Sequence, residues 1–209
     1  MKKINTRILI NVFIEIIVPY SWLRMVFSTS DGVLVSTGLR SLKYFTILSN
    51  LLEGFASVVF LLNLKNEKQW VNLLKYVAAV SVGLTFLVVV VFLGPLFGYL
   101  FMFIGVNFWL HIIVPVLAMF EFVIYNRERI TVRDNMIATL PMVVYGIFYL
   151  GNIIINGVGQ WPDTNDWYGF VSWGLAVGIL IFFVIISVTY GIGLFLRKIN
   201  DRVKKNGNK

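Results

Sequence analysis

Six stretches of about 20 mostly apolar residues follow one another along this chain of 209 residues. An α-helix rises about 1.5 Å per residue, so a stretch of this length crosses the roughly 30 Å hydrocarbon core of a bilayer. Charged residues make up only 13% of the chain, about half the fraction typical of a soluble domain. The pattern predicts an all-α integral membrane protein, folded as a six-transmembrane-helix bundle.

We predict a single transmembrane domain over residues 1–209, without a separate soluble domain. In lipid every backbone polar group must be bonded internally, which favours a helix at each apolar stretch. The predicted spans are 8–27, 42–63, 71–93, 106–125, 136–157 and 170–196. The segment 94–105 is apolar yet rich in turn residues, and we expect a re-entrant or interfacial piece there. Residues 200–209 are expected to form a basic tail.

The positions of the basic residues predict the orientation of the chain. Of its 18 lysine and arginine residues, 15 precede span one, flank the turns after spans two and four, or belong to the tail. The positive-inside rule therefore places both termini in the cytoplasm. This topology, rather than nucleic-acid binding, explains the net charge of +8. A short basic start without a cleavage site, in a chain without cysteine, indicates a bacterial cytoplasmic membrane protein.

Residue types that the chain lacks exclude several kinds of site. There is no cysteine, which excludes disulfides and thiolate metal sites. His111 is the only histidine, so a multi-histidine metal site within one chain is excluded as well. The sequence contains no phosphate-binding glycine loop and no Gly-x-Ser-x-Gly elbow. We therefore expect no metal and no cofactor.

Polar residues recur at helical spacing in four of the spans. They are Asn11 and Glu15 in span one, Thr46, Asn50, Glu53 and Ser57 in span two, Asn107 and His111 in span four, and Tyr145, Tyr149, Asn152 and Asn156 in span five. Each set shares one helix face, and polar faces in lipid turn toward one another. Isolated interhelical hydrogen bonds, each contributing about 0.6 kcal/mol, are the alternative. Four stripes with ionisable groups favour a shared polar cavity.

One layer of this cavity combines a hydroxyl group with a base. Thr46 and His111 both fall about 6–8 Å below the predicted outer ends of their spans. His111 is suited to act as the general base that activates the Thr46 hydroxyl for nucleophilic attack. Three asparagines could orient the imidazole or stabilise an oxyanion. They are Asn50, Asn107 and Asn152.

The charged residues inside the spans have alternative interpretations. Arg24 either binds a substrate carboxylate or extends to the outer headgroups. Glu15 and Glu53 form a second layer near the midplane, where they share a proton, bind a cation or make structural hydrogen bonds. Glu53, with Arg24 and Tyr149, is a candidate substrate-binding residue. We expect Glu121 to form an interfacial ion pair with a nearby arginine, Arg127 or Arg129, and Asp163 and Asp166 to lie in a solvated loop.

Four short motifs, taken in order, resemble one family of membrane proteins. Residues 43–52, KYFTILSNLL, are similar to the K-Y-[LF]-T segment of the androgen-induced, FAR-17a-like proteins, and closer still to F-T-x-x-S-N-L-L of their bacterial six-span relatives. His111, followed by an apolar stretch and Pro115, resembles the second signature of the family. Residues 149–152 and 167–170 are similar to the later Tyr/Asn and aromatic-Gly-Phe landmarks of the bacterial branch.

The resemblance covers most of the chain and implies an activity. The eukaryotic members are threonine hydrolases that cleave fatty acid esters of hydroxy fatty acids. Their catalytic threonine and histidine correspond to Thr46 and His111. After Thr46 this sequence continues Ile-Leu-Ser-Asn, which departs from the eukaryotic pattern and bears on the substrate more than on the nucleophile.

Three functions follow as hypotheses. The first is an intramembrane hydrolase of such lipid esters, whose substrate enters laterally from the outer leaflet. The second is a non-catalytic lipid or small-molecule binding protein, or a small permease, in which Glu15, Glu53 and Arg24 line a path. The third is a structural partner of another membrane protein, with the basic tail contacting anionic lipid. The expected partners are a lipid or acyl-ester substrate and the bilayer, and not nucleic acid.

Overall fold

Six helices long enough to cross a membrane dominate the fold. The computed structural model describes residues 2–27, 38–65, 68–160 and 164–207, and these ranges contain helices and no strand. The long helices are α1 (Lys2–Val26), α2 (Phe45–Leu62), α3 (Gln69–Leu93), α4 (Val106–Tyr125), α5 (Val132–Asn156) and α6 (Leu175–Gly207). All six are apolar enough to span a bilayer. The prediction of an all-α membrane protein with six spanning helices is confirmed.

Local chemistry explains where the helix ends differ from the predicted span ends. Helix α2 begins at Phe45 rather than 42 because residues 38–43 form a separate 3-10 turn. Helix α5 begins four residues early, since Thr131 and Asp134 form a capping box that satisfies two backbone N–H groups. Helix α6 begins at Leu175 rather than 170 because Gly174, with a φ of 98°, turns the chain just before it.

Two π turns interrupt α3 and α4, and each ends two residues before a proline. Pro95 and Pro115 have no backbone N–H to donate to the preceding turn. The residue before each proline bonds five positions back instead, from Gly94 to Val89 and from Val114 to Trp109. The second π turn, Trp109–Ile113, contains His111. Between the two helices the chain forms a four-residue helix, Gly94–Phe97, and a 3-10 turn, Tyr99–Phe103.

Helix α3 lies at the centre of the bundle. It packs against α2, α4, α5 and α6, and its residues from Tyr76 to Thr85 are all buried. Helix α1 packs against α2 and α4. Residues 2 and 207 lie at the same end of the bundle as residues 63–65 and 126–131, and we call this end the terminal face. The other end, the opposite face, carries the 3-10 turn at 38–43 and residues 164–174.

Hydrogen bonds of the Asn200 side chain join the last part of α6 to the end of α4. Its side-chain amide donates to the carbonyl oxygens of Phe122, Val123 and Asn126, at 3.3, 2.9 and 2.9 Å. The Asn126 amide returns a bond to the Asn200 side-chain oxygen at 3.0 Å. Helix α6 has 33 residues, which is longer than a bilayer core requires, so this contact holds its extension against the terminal face.

Replacing Asn200 by alanine is expected to lower the free energy of unfolding by about 1–3 kcal/mol, because buried carbonyl groups lose their donor. The measurement is denaturation of the purified protein in detergent, followed by tryptophan fluorescence. Asn206→Ala is the control, since Asn206 is exposed on the same helix and its loss is expected to change stability by less than about 0.5 kcal/mol. Equal stabilities of the two variants would contradict the role assigned to Asn200.

Candidate functional site

Thr46 faces an apolar cavity in the half of the bundle near the opposite face. The residue lies in the first turn of α2 and is half-buried. The cavity has a volume of about 270 Å³ and is lined by α2, α3, α5, α6 and residues 168–173. Its lining includes Phe45, Thr46, Thr85, Met142, Tyr145 and Tyr168. We call this space the Thr46 cavity.

Asn50 ties the turn that carries Thr46 to the turn that carries His111. Its buried side-chain amide donates to the carbonyl oxygen of Thr46 at 2.7 Å and to that of Leu110 at 3.0 Å. Because Leu110 directly precedes His111 in the π turn, the two candidate catalytic residues lie on neighbouring helices at one level of the bundle. His111 is half-buried and is not among the described residues that line the Thr46 cavity.

These two hydrogen bonds limit the roles that the Asn50 side chain can have in catalysis. An asparagine amide has two N–H donors, and both are used in holding the two carbonyl groups. No donor remains for an oxyanion, so of the two roles predicted for Asn50 only the positioning role is compatible with this geometry. Asn107 is half-buried in the turn before the π turn, one helical turn from His111.

A second and larger cavity separates α2 from α5. Its volume is about 560 Å³, and its polar lining consists of Lys43, Ser49, Tyr145, Tyr149, Asn152 and Trp167. Leu48, Val144 and Phe148 at its edge are exposed on the outside of the bundle, where a membrane protein meets lipid. We call this space the α2–α5 cavity. The rings of Phe45 and Tyr145, 5.2 Å apart, line both cavities and stand between them.

The segment before α6 folds back onto the bundle and covers both cavities. The hydroxyl of Tyr168 accepts a hydrogen bond from the backbone N–H of Phe45 at 3.0 Å. The indole of Trp167 donates to the Tyr145 hydroxyl at 3.0 Å, and that hydroxyl donates to the carbonyl of Lys43 at 2.8 Å. Burial raises the pKa of Tyr168 to about 12, so its hydroxyl stays neutral over the physiological range. We call residues 164–174 the aromatic segment.

Asp166 is the anchor of the aromatic segment. It is buried, accepts the hydroxyl of Tyr149, and accepts the backbone N–H of Val171 at 3.0 Å. The prediction that Asp166 lies in a solvated loop is therefore wrong, because the carboxylate turns inward to satisfy these donors. Asp163, which was predicted to share that loop, lies outside the described residues.

Four ionisable side chains from four helices meet in the half of the bundle near the terminal face. Arg7 donates from Nε to the Glu121 carboxylate at 2.5 Å, and Lys75 lies 3.4 Å from the other oxygen of that carboxylate. Lys75 also donates to Glu53 and, at 3.2 Å, to Ser57. All four ionisable groups are buried. We call Arg7, Glu53, Lys75 and Glu121 the charge cluster.

The charge cluster overturns one prediction. Glu121 does not form an interfacial pair with Arg127 or Arg129, both of which are exposed in the turn after α4. It faces inward from α4, where Arg7 and Lys75 reach it. In the sequence Arg7 and Lys75 resemble residues that flank loops, but both lie beside or within apolar stretches, which is a signal for a buried position.

The remaining predicted site residues do not gather in one place. Asn152 lines the α2–α5 cavity and donates to Asn165 at 3.0 Å. Tyr149 lines the same cavity, where it holds Asp166. Arg24 is exposed near the end of α1 at the opposite face, as the headgroup alternative requires. Glu15 is half-buried, and no hydrogen bond or ion pair joins it to Glu53 within the described chain.

Comparisons of the chain with protein-family models, with curated proteins and with solved structures find no match.

Proposed function

We propose that this protein is an intramembrane hydrolase that cleaves lipid esters, with Thr46 as the nucleophile and His111 as the general base. The observation that carries this proposal is the bond pair of Asn50, which couples the Thr46 turn to the His111 turn. A threonine hydroxyl facing an apolar cavity in a membrane protein also suits an acyl substrate. The α2–α5 cavity, with exposed apolar residues at its edge, suits lateral entry of that substrate from lipid.

The reaction has two steps. The Thr46 Oγ1 attacks the ester carbonyl while His111 takes the hydroxyl proton, and the imidazolium then gives that proton to the departing alcohol. Water next attacks the acyl-threonine, again with His111 as base, and releases the carboxylic acid and the free hydroxyl. Both donors of Asn50 are occupied, so Asn50 holds the two turns in place, and Asn107 and Asn152 are the predicted candidates for donating to the oxyanion.

The positions of the exposed basic residues support one orientation of the proposed site relative to the two sides of the membrane. Arg127, Arg129, Lys198 and Arg202 are exposed toward the terminal face, which by the positive-inside rule lies in the cytoplasm. Both cavities lie in the other half of the bundle. The proposed substrate therefore enters from the outer leaflet of a bacterial cytoplasmic membrane.

Replacing Thr46 or His111 by alanine is expected to lower ester hydrolysis by the purified protein about 100-fold or more, because nucleophile or base is lost. The assay uses a long-chain ester in mixed micelles and, in parallel, labelling by a fluorophosphonate probe. Thr46→Ser keeps a hydroxyl and should retain activity. Ser49→Ala removes a nearby hydroxyl that bonds to Thr85 at 2.9 Å, and serves as the matched control. Equal hydrolysis and labelling in all variants would refute the proposal.

The second candidate function is non-catalytic lipid binding. It is favoured by the absence of His111 from the described lining of the Thr46 cavity. In that case the wild type binds a long-chain ester without turnover, and Thr46→Ala and His111→Ala bind it equally well. Binding of a fluorescent ester, measured beside hydrolysis on the same preparations, separates the two functions.

A further inference from the structure

Within the charge cluster, Glu53 has the weakest electrostatic support. Glu121 is paired with two cations, Arg7 at 2.5 Å and Lys75 at 3.4 Å. Among the described residues Glu53 is paired with Lys75 alone, and Lys75 also serves the other carboxylate. If Glu53 were neutral, Lys75 would pair with Glu121 alone, and the repulsion between the two buried carboxylates would disappear.

One oxygen of Glu53 has no donor. Its Oε1 accepts from Lys75 and, at 3.4 Å, from Ser57, whereas Oε2 is buried without a hydrogen-bond partner among the described residues. The Oε2 of Glu121 also has no hydrogen bond there, but the Lys75 ammonium group lies 3.4 Å from it. The carboxyl group itself is 0% exposed. A buried carboxylate oxygen without a donor has lost its hydrating water, and no hydrogen bond compensates for that loss. Protonation removes the negative charge and with it most of this desolvation cost. The free oxygen is therefore the place where a proton would bind.

A polar cavity at the terminal face adjoins the charge cluster. A cavity of about 200 Å³ opens there between the starts of α3 and α5, lined by Gln69, Trp70, Asn72, Leu73, Arg129 and Asp134 among others. We call it the Asn72 vestibule. Asn72 accepts a hydrogen bond from Arg7 at 3.3 Å, and Arg7 contacts Glu121. The vestibule thus touches the first member of a chain of side chains that ends at Glu53.

We propose that Glu53 is a reversible proton-binding site inside the membrane, reached by protons from the terminal face through the Asn72 vestibule. The groups that act on it are Lys75 from α3, Glu121 from α4, Arg7 from α1 through Glu121, and Ser57 from α2 itself. When Glu53 binds a proton, the net charge of the cluster rises from zero to +1. The carboxylate of Glu121 then remains as the counter-ion of both Arg7 and Lys75. This property is independent of ester hydrolysis.

Infrared difference spectroscopy on the full chain in lipid nanodiscs tests the proposal. Lowering the pH is expected to produce the carbonyl absorption of a buried protonated carboxyl group, and Glu53→Gln is expected to remove that band. Glu15→Gln is the matched control and should retain it, because Glu15 is a half-buried carboxyl outside the cluster. A band that survives Glu53→Gln, or that is lost instead in Glu121→Gln, overturns the assignment.

Two further measurements cover the route and the ligand. Asn72→Leu is expected to slow the appearance of the band after a rapid pH change and to leave its final size unchanged. An unchanged rate overturns the proposed route. Replacing Na⁺ by choline at constant pH is expected to have no effect, and a band that depends on Na⁺ overturns proton binding in favour of a metal-cation site.

A measurement on the wild type keeps the proposal testable if Glu53→Gln does not fold. In protein labelled with ¹³C-glutamate and ¹⁵N-lysine, solid-state NMR identifies the carboxyl carbon closest to a buried lysine amine. That carboxyl resonance is expected to move to the protonated position as the pH falls, with a second lysine-linked carboxyl, Glu121, unchanged. Two resonances that stay fixed together overturn the proposal.

Discussion

Replacing Lys75 by methionine is expected to destabilise the protein by about 3–5 kcal/mol, because two buried carboxylates then lose a shared cation. Methionine has a similar length and suits an apolar interior, so the loss reports charge rather than packing. Lys75 is 1% exposed, and both of its acidic partners are 0% exposed. The measurement is equilibrium unfolding in mixed micelles of increasing denaturing detergent. The loss is expected to shrink as the pH falls, since protonated carboxyl groups no longer need the cation.

Two variants accompany this experiment. Lys198→Met removes an exposed lysine from α6, and its effect is expected to stay within about 0.5 kcal/mol. Adding Glu53→Gln to Lys75→Met should restore part of the lost stability, because one uncompensated charge disappears with its partner. If Lys75→Met and Lys198→Met unfold alike, the charge cluster does not support the fold.

Gly193→Ala is expected to cost roughly 2–4 kcal/mol through overpacking and the loss of a buried hydrogen bond. A Cβ at this position would lie 2.0 Å from the side-chain oxygen of Asn135 and 2.8 Å from the hydroxyl of Tyr76. Those two groups bond to each other at 2.5 Å, and the Asn135 amide donates to the Tyr190 carbonyl at 3.2 Å. The added methyl group therefore disturbs the polar contact that joins α3, α5 and α6.

Gly191 provides the matched control two residues away on the same helix. A Cβ there meets nothing within 4 Å, so Gly191→Ala should leave stability within about 1 kcal/mol of the wild type. Unfolding of both variants under identical conditions measures the difference. Comparable stability of Gly193→Ala and Gly191→Ala would show that the close approach at Asn135 relaxes without cost.

The helices could be predicted because the physical requirement is local. A stretch in lipid must satisfy its own backbone, so length and apolar content are sufficient to identify all six spans. The caps at Thr131 and the turn at Gly174 depend on a few neighbouring residues, and they moved the ends of α5 and α6 by four or five positions. Residues 131–134 and 169–174 carry these signals in the sequence, as a capping-box pattern and as glycines that favour a turn.

The charge cluster could not be predicted in the same way because it depends on which helices adjoin. Arg7 and Glu121 are separated by 114 positions, and Lys75 lies close enough to a turn to resemble an ordinary flanking residue. Helical spacing gives the face of each residue on its own helix but not the neighbour that this face meets. For the same reason the spacing of Thr46 and His111 predicts a common layer, whereas the cavity that each side chain meets depends on how α2 and α4 are rotated.

The pairing of Arg7 with Glu121 has a consequence for biogenesis. A chain made from its N-terminus presents Arg7, Glu53 and Lys75 to the insertion machinery before Glu121 has been synthesised, so three helices enter with one cation of this group uncompensated. Only the arrival of the fourth helix neutralises it. Lateral release of the first helix into the bilayer is therefore expected to wait for the fourth, which makes these two helices a single unit of assembly.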